Sequence, residues 1–539
     1  ATIALHYVFN SPVDKFVYDV SHQSYVHKML TGRKEAYINP EKFKTVTGYT
    51  EPKESEHDFF TIGHTSTSIS LACGLAKGRD AVGSNENIIA IIGDGSLSGG
   101  EAYEGLNNAA ASNKNIIILV NDNDISIAEN HGGLYKNLAQ LRESEGKLDN
   151  NFFKSLGFEY HFVKDGNNLE SLIETFEKVK DTTRPVVVHM HTIKGKGYED
   201  AENNKESFHW VMPFDLETKE PLFKGEYVKS YGDITEDFLI EKAKKDKSIV
   251  AITAATPGIV GVNRFRSELQ DQYVDVGIAE EHAIALASGM AKRGAKPVAA
   301  FLSSFIQRTY DQLSQDLAIN NNPATIMVYW GGISGSDVTH LGLFDIPLIS
   351  NIPNMVYLAP TTKEEHLAMV DWAIEQDKHP VAIRVPNMEV VSTGVGVEAN
   401  FDELNKYVMV EEGKDVAIIG LGSFFHLGKK VQERLRNTGI NATLINPRFI
   451  TGVDEDLLNE LKENHKVVIT LEDGILDGGF GEKIARFYGN SQMRVLNFGA
   501  TKEFTDSVEL DVLYERYHLT EELIVEDIEK VLADIKVFA

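Results

Sequence analysis

Cysteine is nearly absent from this chain, since Cys73 is the only one in 539 residues. A lone cysteine cannot form an intrachain disulfide, and this is typical of proteins of the reducing cytoplasm, where we expect this one. Long apolar runs are missing too, because none approaches the ~18 residues that a membrane-spanning helix needs. The sequence therefore argues against a disulfide-stabilised secreted domain and predicts no membrane partner.

Positive charge is scarce. Lysine and arginine total 53 residues against 80 aspartates and glutamates, which gives a formal net charge of −27. An acidic surface repels nucleic acid and anionic membranes, so we expect neither as a partner. An anionic small molecule is still compatible with this composition, because a local cluster of positive groups can oppose the global charge.

Short unbroken apolar runs alternate with helix-period segments along the whole chain, as in IIAIIG, NIIILVN and PVVVHMHT. Strands without a polar face, separated by helices, are typical of parallel sheets that are covered on both sides. The pattern restarts twice. It predicts an α/β protein of three consecutive domains with mainly parallel sheets, at residues 1–226, 227–395 and 396–539.

Oxygen-bearing side chains follow two successive predicted strands. Gly93-Asp94-Gly95 ends the first, and Asn121-Asp122-Asn123 ends the second. Ligands of α/β sheets bind beyond the carboxyl ends of strands, so Asp94 and Asn123 are expected to lie close together and Asp122 to face elsewhere. One carboxylate, one amide oxygen and a backbone carbonyl form a partial shell for Mg²⁺, completed by water and phosphate oxygens. The alternative is a pair of ordinary turns.

The spacing of these two motifs resembles the thiamine diphosphate motif of the transketolase superfamily. Further segments narrow the resemblance to the 1-deoxy-D-xylulose-5-phosphate synthase family, among them IGHTSTSIS, SIAENHGGL, IKGKGYEDAE and IAEEHAIALASGMA. The resemblance runs along nearly the whole chain. It implies a transketolase-like fold that binds thiamine diphosphate and Mg²⁺ between its first two domains, and a homodimer. It also implies a 2-keto acid donor, pyruvate, and an aldehyde acceptor, glyceraldehyde 3-phosphate.

The resemblance also implies roles for individual residues. It gives three metal ligands: Asp94, Asn123 and the backbone carbonyl of Ile125. The cofactor would be bound by these three and by His64, Gly93, Gly95, Lys194 and Phe305, the last stacked on the pyrimidine. Catalytic roles would belong to Glu280, His22, His209 and His340, and substrate contacts to Arg308, Asp337 and His340.

Glu280 would carry the central step. It stands between the apolar run YVDVGIA and the helical segment EEHAIALASGMAKRG. In thiamine enzymes a glutamate forms a hydrogen bond with the pyrimidine ring and so promotes deprotonation of the thiazolium carbon, while the cofactor does the difficult chemistry. The alternative is a glutamate placed there only because the positive end of a helix favours a negative charge.

The chain departs from the family where the acceptor phosphate would bind. Trp330 and Asn387 stand in place of arginines, and Leu302 stands in place of a tyrosine. Losing two charged hydrogen bonds would cost on the order of 3–6 kcal/mol of binding. A synthase-like ketol or acyloin transferase with a different, unphosphorylated acceptor is therefore an open alternative, and a non-catalytic paralogue is a second one.

Two other motifs have simpler interpretations. Gly420 and Gly422 lack the full glycine spacing and the acidic partner of a dinucleotide loop, so a strand–helix turn is favoured over nicotinamide binding. His189 and His191 alternate along one strand and share a face, which is compatible with a metal pair but more typical of structural histidines.

Overall fold

The computed structural model describes residues 1–112, 114–222, 225, 228–397 and 401–538. Within these residues the strands form three sheets. The chain divides into two compact units, Ala1–Glu226 with Asp275–Ala279, and Tyr227–Val274 with Glu280–Ala539. The predicted boundary between residues 226 and 227 lies outside the described residues, and the three domain ranges stay predictions.

The first unit is built on a parallel sheet with the strand order β1-β2-β3-β5-β4. Its strands are β1 Lys15–Tyr18, β2 Ile88–Gly93, β3 Ile117–Asp122, β4 Glu159–Val163 and β5 Val186–His191. Its helices are α1 Thr2–Val8, α2 Tyr25–Lys28, α3 Glu35–Ile38, α4 Ser68–Val82, α5 Gly100–Ala111, α6 Gly133–Glu143, α7 Phe152–Leu156, α8 Leu169–Val179 and α9 Glu199–Asn203.

The central strand β2 explains why its sequence is an unbroken apolar run. Ile88, Ala90 and Ile92 belong to one hydrophobic core, whereas Ile89 and Ile91 belong to another. Successive side chains of a strand point to opposite faces, so both faces of this sheet are buried. A strand in that position has no polar face.

The second unit holds a six-stranded sheet with the order β10-β11-β9-β8-β6-β7, in which the pairs from β10 to β6 are parallel. Its strands are β6 Ile249–Thr253, β7 Tyr273–Asp275, β8 Lys296–Leu302, β9 Thr325–Tyr329, β10 Val356–Leu358 and β11 Val381–Arg384. The helices that accompany it are α10 Tyr231–Lys245, α11 Asn263–Glu268, α12 Glu280–Lys292, α13 Ser303–Ile306, α14 Asp345–Ser350 and α15 Lys363–Glu375.

The second unit also holds a five-stranded sheet with the order β12-β14-β13-β15-β16, in which only the β12–β14 pair is antiparallel among the described residues. Its strands are β12 Val408–Glu411, β13 Asp415–Gly420, β14 Thr443–Asn446, β15 His465–Ile475 and β16 Arg494–Ala500. Its helices are α16 Phe424–Asn437, α17 Glu455–Asn464, α18 Phe480–Tyr488, α19 Leu510–Arg516 and α20 Glu521–Phe538. The prediction of α/β domains with mainly parallel sheets is confirmed.

Membrane-spanning helices are absent from the part of the chain that the structure describes, where no helix is both long and apolar enough to cross a bilayer.

Candidate active site

The two motifs of oxygen-bearing residues lie side by side at one edge of the first sheet. Gly93 at the end of β2 is in register with Asn121 of β3. The backbone N–H of Asp94 donates to the carbonyl of Asn121 at 3.1 Å and continues this ladder one residue further. Asp94 and the loop after β3 therefore share the carboxyl edge of the sheet, where α/β proteins bind ligands.

Asp94 is a buried carboxylate with few hydrogen-bond donors. Its side chain is 1% exposed. Asn130 Nδ2 donates to its Oδ2 atom at 2.7 Å, and the backbone N–H of Asn123 approaches its Oδ1 atom at the long distance of 3.5 Å. Burial, helped by the negative charge of Asp122, raises the pKa of Asp94 to about 7. A cation would relieve this cost of burying a charge.

Two amide oxygens beside this carboxylate lack hydrogen-bond partners. The Oδ1 atoms of Asn123 and Asn130 are both buried and unpaired. Buried polar atoms are nearly always paired, so unpaired oxygens next to a carboxylate mark a place for a missing donor or cation. Oxygen ligands of this kind suit Mg²⁺, and the residues present fit that ion.

The candidate cation site contains one carboxylate, that of Asp94. Among the described residues there is no group of three or more His, Cys, Asp or Glu side chains that could hold a metal ion. An ion at Asp94 would therefore bind mainly neutral oxygens, as the amide of Asn123 and the carbonyl of Ile125 would supply. Mg²⁺ bound to phosphates commonly has only one or two protein carboxylates.

Asp122 is paired with other side chains. Its carboxylate accepts from Arg142 Nη1 at 2.7 Å and lies 2.8 Å from His189 Nε2. The other ring nitrogen of His189 is 2.8 Å from the hydroxyl of Tyr160. His189 is thus a structural histidine with both nitrogens engaged, in keeping with the simpler interpretation of its motif.

Gly95 lets two loops of the site touch. A β-carbon at this position would overlap the Cβ and Cα atoms of Ser126, in the loop after β3. The hydroxyl of Tyr135 donates to the carbonyls of Asp94 and Gly95, each at 3.2 Å. The sequence Gly-Asp-Gly therefore needs its second glycine for packing.

Lys194, His209 and His22 form a cluster in the same unit. Lys194 Nζ donates to the carbonyl of Ser126 at 2.6 Å and lies 3.1 Å from His209 Nδ1. The rings of His22 and His209 are 5.8 Å apart. Burial lowers the pKa of Lys194 to about 8. Burial, with the charge of Lys194, lowers the pKa of each histidine to about 4, so both imidazoles are neutral at pH 7.

His64 is partly buried in the segment that leads into α4. Buried Asp19 fixes this segment, because its carboxylate accepts from the backbone N–H groups of Ser66 at 2.8 Å and Ser68 at 2.9 Å.

In the second unit, Glu280 is the first residue of α12 and is 4% exposed. Its Oε2 atom is buried without a hydrogen-bond partner and lies 3.5 Å from Arg308 Nη1. Burial raises the pKa of Glu280, although the positive charge of Arg308 acts in the opposite direction. A glutamate placed only for the helix dipole would be expected in solvent, whereas this one is buried with an unused acceptor.

Phe305 and His340 are neighbours beyond the strands β8 and β9. The register pairs Leu302 with Tyr329, so the residues that follow both strands share one edge of the sheet. The ring centroids of Phe305 and His340 are 5.6 Å apart. His340 Nδ1 lies 3.3 Å from Asp337 Oδ1. Burial alone would raise the pKa of Asp337, but hydrogen bonds from His340 and Thr339 lower it.

Trp330 is exposed at the same edge. It follows β9 directly, has 55% of its surface exposed and adopts a positive φ of 57°. Bulky residues rarely adopt that conformation, which is found mostly where the surrounding structure enforces it. A hydrogen bond of 2.8 Å from the Gly332 N–H to the Gly342 carbonyl holds the turn beside it.

The arginine of the neighbouring strand is fully engaged. Arg384 is 7% exposed, its Nε donates to Asp345 Oδ2 at 2.7 Å, and its Nη2 donates to the carbonyl of Asp473 at 2.6 Å. Asn387, three residues further on, is exposed, and Leu302 is buried in the core of the unit.

Sequence reasoning assigned no role to Asn130, Asp345 or Asp473. Asn130 lies in the segment SIAENHGGL, which carried the resemblance, and a polar side chain soon after the Asn-Asp-Asn motif was the available signal. Asp345 and Asp473 are 39 and 89 residues away from Arg384, a separation at which no local pattern predicts pairing.

Three family profiles match successive parts of the chain. The family profile described as 1-deoxy-D-xylulose-5-phosphate synthase matches residues 1–148 and 145–192. The transketolase pyrimidine binding domain matches residues 229–391, and the transketolase C-terminal domain matches residues 405–524. A solved split-gene transketolase, an inactive β4 tetramer, covers 57% of this chain and 99% of its own at a TM-score of 0.50 and 23% identity, a likeness of fold alone.

Relatives with similar sequences cover almost the whole chain. The 1-deoxy-D-xylulose-5-phosphate synthase of Caldanaerobacter subterraneus subsp. tengcongensis is 38% identical over an alignment that spans 98% of this chain and 90% of the relative. The synthase of Halothermothrix orenii is 38% identical over an alignment that spans 97% of this chain and 88% of the relative. With its sheets, its motifs and these relatives, the chain belongs to the 1-deoxy-D-xylulose-5-phosphate synthase family.

Proposed function

We propose that this protein condenses pyruvate with D-glyceraldehyde 3-phosphate to give 1-deoxy-D-xylulose 5-phosphate and CO₂, with thiamine diphosphate and Mg²⁺ as cofactors. The observation that carries the proposal is Glu280, a buried glutamate whose Oε2 atom has no hydrogen-bond partner, in a chain of this family. Such an atom lacks a hydrogen-bond partner, and a ring nitrogen of the cofactor's pyrimidine would be one, with the proton of the hydrogen bond on either group.

The residues to which the family resemblance gives a role in cofactor binding occur in both units. In the first unit, Asp94 and Asn123 would hold Mg²⁺ with the carbonyl of Ile125, and Lys194 and His64 would bind the diphosphate. A lysine within reach of carbonyl and imidazole groups is a suitable partner for an anion. In the second unit, Glu280 and Phe305 would hold the pyrimidine.

When bound, thiamine diphosphate supplies the carbon nucleophile and the electron sink that decarboxylation of a 2-keto acid requires. The side chains orient the reactants and move protons. Because burial raises the pKa of Glu280, its carboxyl group can keep or return a proton closer to neutral pH than an exposed glutamate can. His22 and His209, neutral at pH 7, can each accept a proton or donate a hydrogen bond near the reacting atoms.

Product formation tests the proposal. Purified protein is supplied with pyruvate, glyceraldehyde 3-phosphate, thiamine diphosphate and Mg²⁺, and the five-carbon phosphate is measured by mass spectrometry. We expect product only when both cofactors are present. An absence of product under all conditions, from protein that binds both cofactors, would refute the reaction but not the cofactor site.

The exposed Trp330 favours a second candidate, a synthase-like transferase with an unphosphorylated acceptor. An aromatic ring at the edge occupied by Phe305 and His340 suits an apolar or neutral acceptor, and Arg384 is already paired with Asp345. The ratio of kcat/KM for glyceraldehyde 3-phosphate to that for glyceraldehyde distinguishes the two. A ratio above 1 supports the first candidate. A ratio below 1 that rises at least tenfold in a Trp330→Arg/Asn387→Arg variant supports the second.

The homodimer and the cytoplasmic location expected from the sequence stay predictions. Light scattering of the purified protein measures the first directly. A single mass near 59.8 kDa, that of one chain, would refute it.

A further inference from the structure

Asn130 contacts the carboxylate of the candidate cation site directly. It lies between β3 and α6. Its Nδ2 donates to the carboxylate of Asp94 at 2.7 Å, against 3.5 Å for the contact from the Asn123 N–H. Its own carbonyl oxygen is buried and unpaired. The amide of Asn130 thus orients the carboxylate of Asp94, while its own Oδ1 remains available as a hydrogen-bond acceptor.

Two asparagines that cap helices in the first unit use their carbonyl oxygens. Asn151 accepts from the backbone N–H groups of Phe153 at 3.0 Å and Lys154 at 3.1 Å, and so caps α7. Asn168 caps α8 in the same way, accepting from Ser171 at 2.9 Å. The oxygen of Asn130 has no such role, and leaving it unpaired costs free energy unless a ligand uses it.

The carboxylate that Asn130 contacts needs support. Asp94 is buried and is repelled by the charge of Asp122. Without the amide of Asn130, only the long contact from the Asn123 N–H would orient it. Groups that orient a metal ligand typically change metal affinity 10- to 100-fold when removed.

We propose that Asn130 is a positioning residue of the cation site. Its Nδ2 holds the Oδ2 atom of Asp94, and its Oδ1 accepts from water bound to the cation. This rests on the proposed function, in which a divalent cation and a diphosphate occupy the site. The Oδ2 atom of Asp94 and the Oδ1 atom of Asn130 would then already be in position before the cation binds.

The experiment compares Asn130→Ala with the control variant Asn108→Ala. Asn108 is an exposed residue of α5 whose Nδ2 donates to the backbone carbonyl of Glu104. Mg²⁺ is titrated into each protein at saturating thiamine diphosphate by calorimetry, and the unfolding temperature of each cofactor-free protein is recorded. We expect Asn130→Ala to bind Mg²⁺ 10- to 100-fold more weakly than wild type.

An Mg²⁺ affinity within twofold of wild type would overturn the proposal, whether or not the cofactor-free variant is less stable. If Asn130→Ala does not fold, Asn130→Asp replaces the donor by a second carboxylate of the same size. We then expect Mg²⁺ to raise the unfolding temperature of Asn130→Asp more than that of wild type, and an equal rise would overturn the proposal. Failure of the wild type to bind Mg²⁺ with thiamine diphosphate would refute the proposed function instead.

Discussion

Arg308 Nη1 lies 3.5 Å from Glu280 Oε2, close enough for electrostatic attraction but too far for a good hydrogen bond. The guanidinium partly offsets the cost of burying the carboxylate, and burial remains the larger effect on its pKa. Arg308 therefore stabilises the buried carboxylate of Glu280, while the Oε2 atom remains able to accept a hydrogen bond from a ligand. Such an arrangement favours binding over stability.

Glu280 should make the cofactor-free protein less stable at high pH. Because burial raises the pKa of Glu280 above its ordinary value of 4.5, its contribution to stability is full below that value and is lost as pH rises through the folded-state pKa. We expect the free energy of unfolding of Glu280→Gln to exceed that of wild type by on the order of 1 kcal/mol at pH 8. We expect this difference to be smaller at pH 5.5. Thermal unfolding measures this, with Glu281→Gln as control. A Glu280→Gln variant that unfolds below wild type at pH 8 would contradict the account.

Lys194 should make cofactor binding depend on pH. Burial lowers its pKa to about 8, so the cofactor-free protein loses this positive charge as pH rises from 7 to 9. We expect the affinity for thiamine diphosphate to fall over that range in wild type. Lys194→Met should bind about 10- to 100-fold more weakly at pH 7, as expected for losing a charged hydrogen bond of about 1.5–3 kcal/mol. Calorimetry at several pH values checks this, and exposed Lys196→Met is the control. Equal affinities of wild type and Lys194→Met would rule out the role.

Gly95 should tolerate no side chain. Alanine there would push the loop of Ser126 away from Asp94, because its β-carbon would overlap that residue. Strain of this kind typically costs about 1–3 kcal/mol, and we expect at least tenfold weaker Mg²⁺ binding. Gly100→Ala is the matched control, since a β-carbon at Gly100 meets nothing within 4 Å. Similar Mg²⁺ affinities for both variants would show that the contact is unimportant.

The Arg384–Asp345 pair should matter for stability. Both side chains are buried, so Asp345→Asn removes the nearer carboxylate partner of Arg384 and leaves that of Asp473, 3.9 Å from Nη1. We expect this to destabilise the second unit by about 3–5 kcal/mol. The surface pair of Lys242 and Asp371 is the control, and Asp371→Asn should cost less than about 1 kcal/mol. Urea unfolding followed by the fluorescence of Trp330 and Trp372 compares them. Equal losses in the two variants would show that Arg384 does not depend on Asp345.

The parallel sheets were predictable because their strands are buried on both faces. Residues 88–92 and 117–120 are apolar throughout, and an oxygen-bearing side chain follows each run within two residues, at one sheet edge. Burial on two faces and termination at a ligand-binding edge are properties of the local sequence. The positions of Asp94 and Asn123 beside each other followed from them.

The contacts of Asn130 and Arg384 could not be predicted in this way. The loop that brings Asn130 to Asp94 passes through positive φ values at Asp124 and Gly132, 65° and 112°. Its course also includes the close approach of Ser126 to Gly95, which the local sequence does not predict. The partners of Arg384 come from a distant helix and from another sheet, so only the assembled second unit brings them together.

The rate of 1-deoxy-D-xylulose 5-phosphate formation by Glu280→Gln tests the central claim most directly. The measurement uses saturating thiamine diphosphate, Mg²⁺, pyruvate and glyceraldehyde 3-phosphate, with Glu281→Gln in parallel. The account predicts a loss of about 10²–10⁴-fold in kcat for Glu280→Gln, the usual effect of removing a proton-transfer group, and little change for Glu281→Gln. Turnover of Glu280→Gln within threefold of wild type would contradict it.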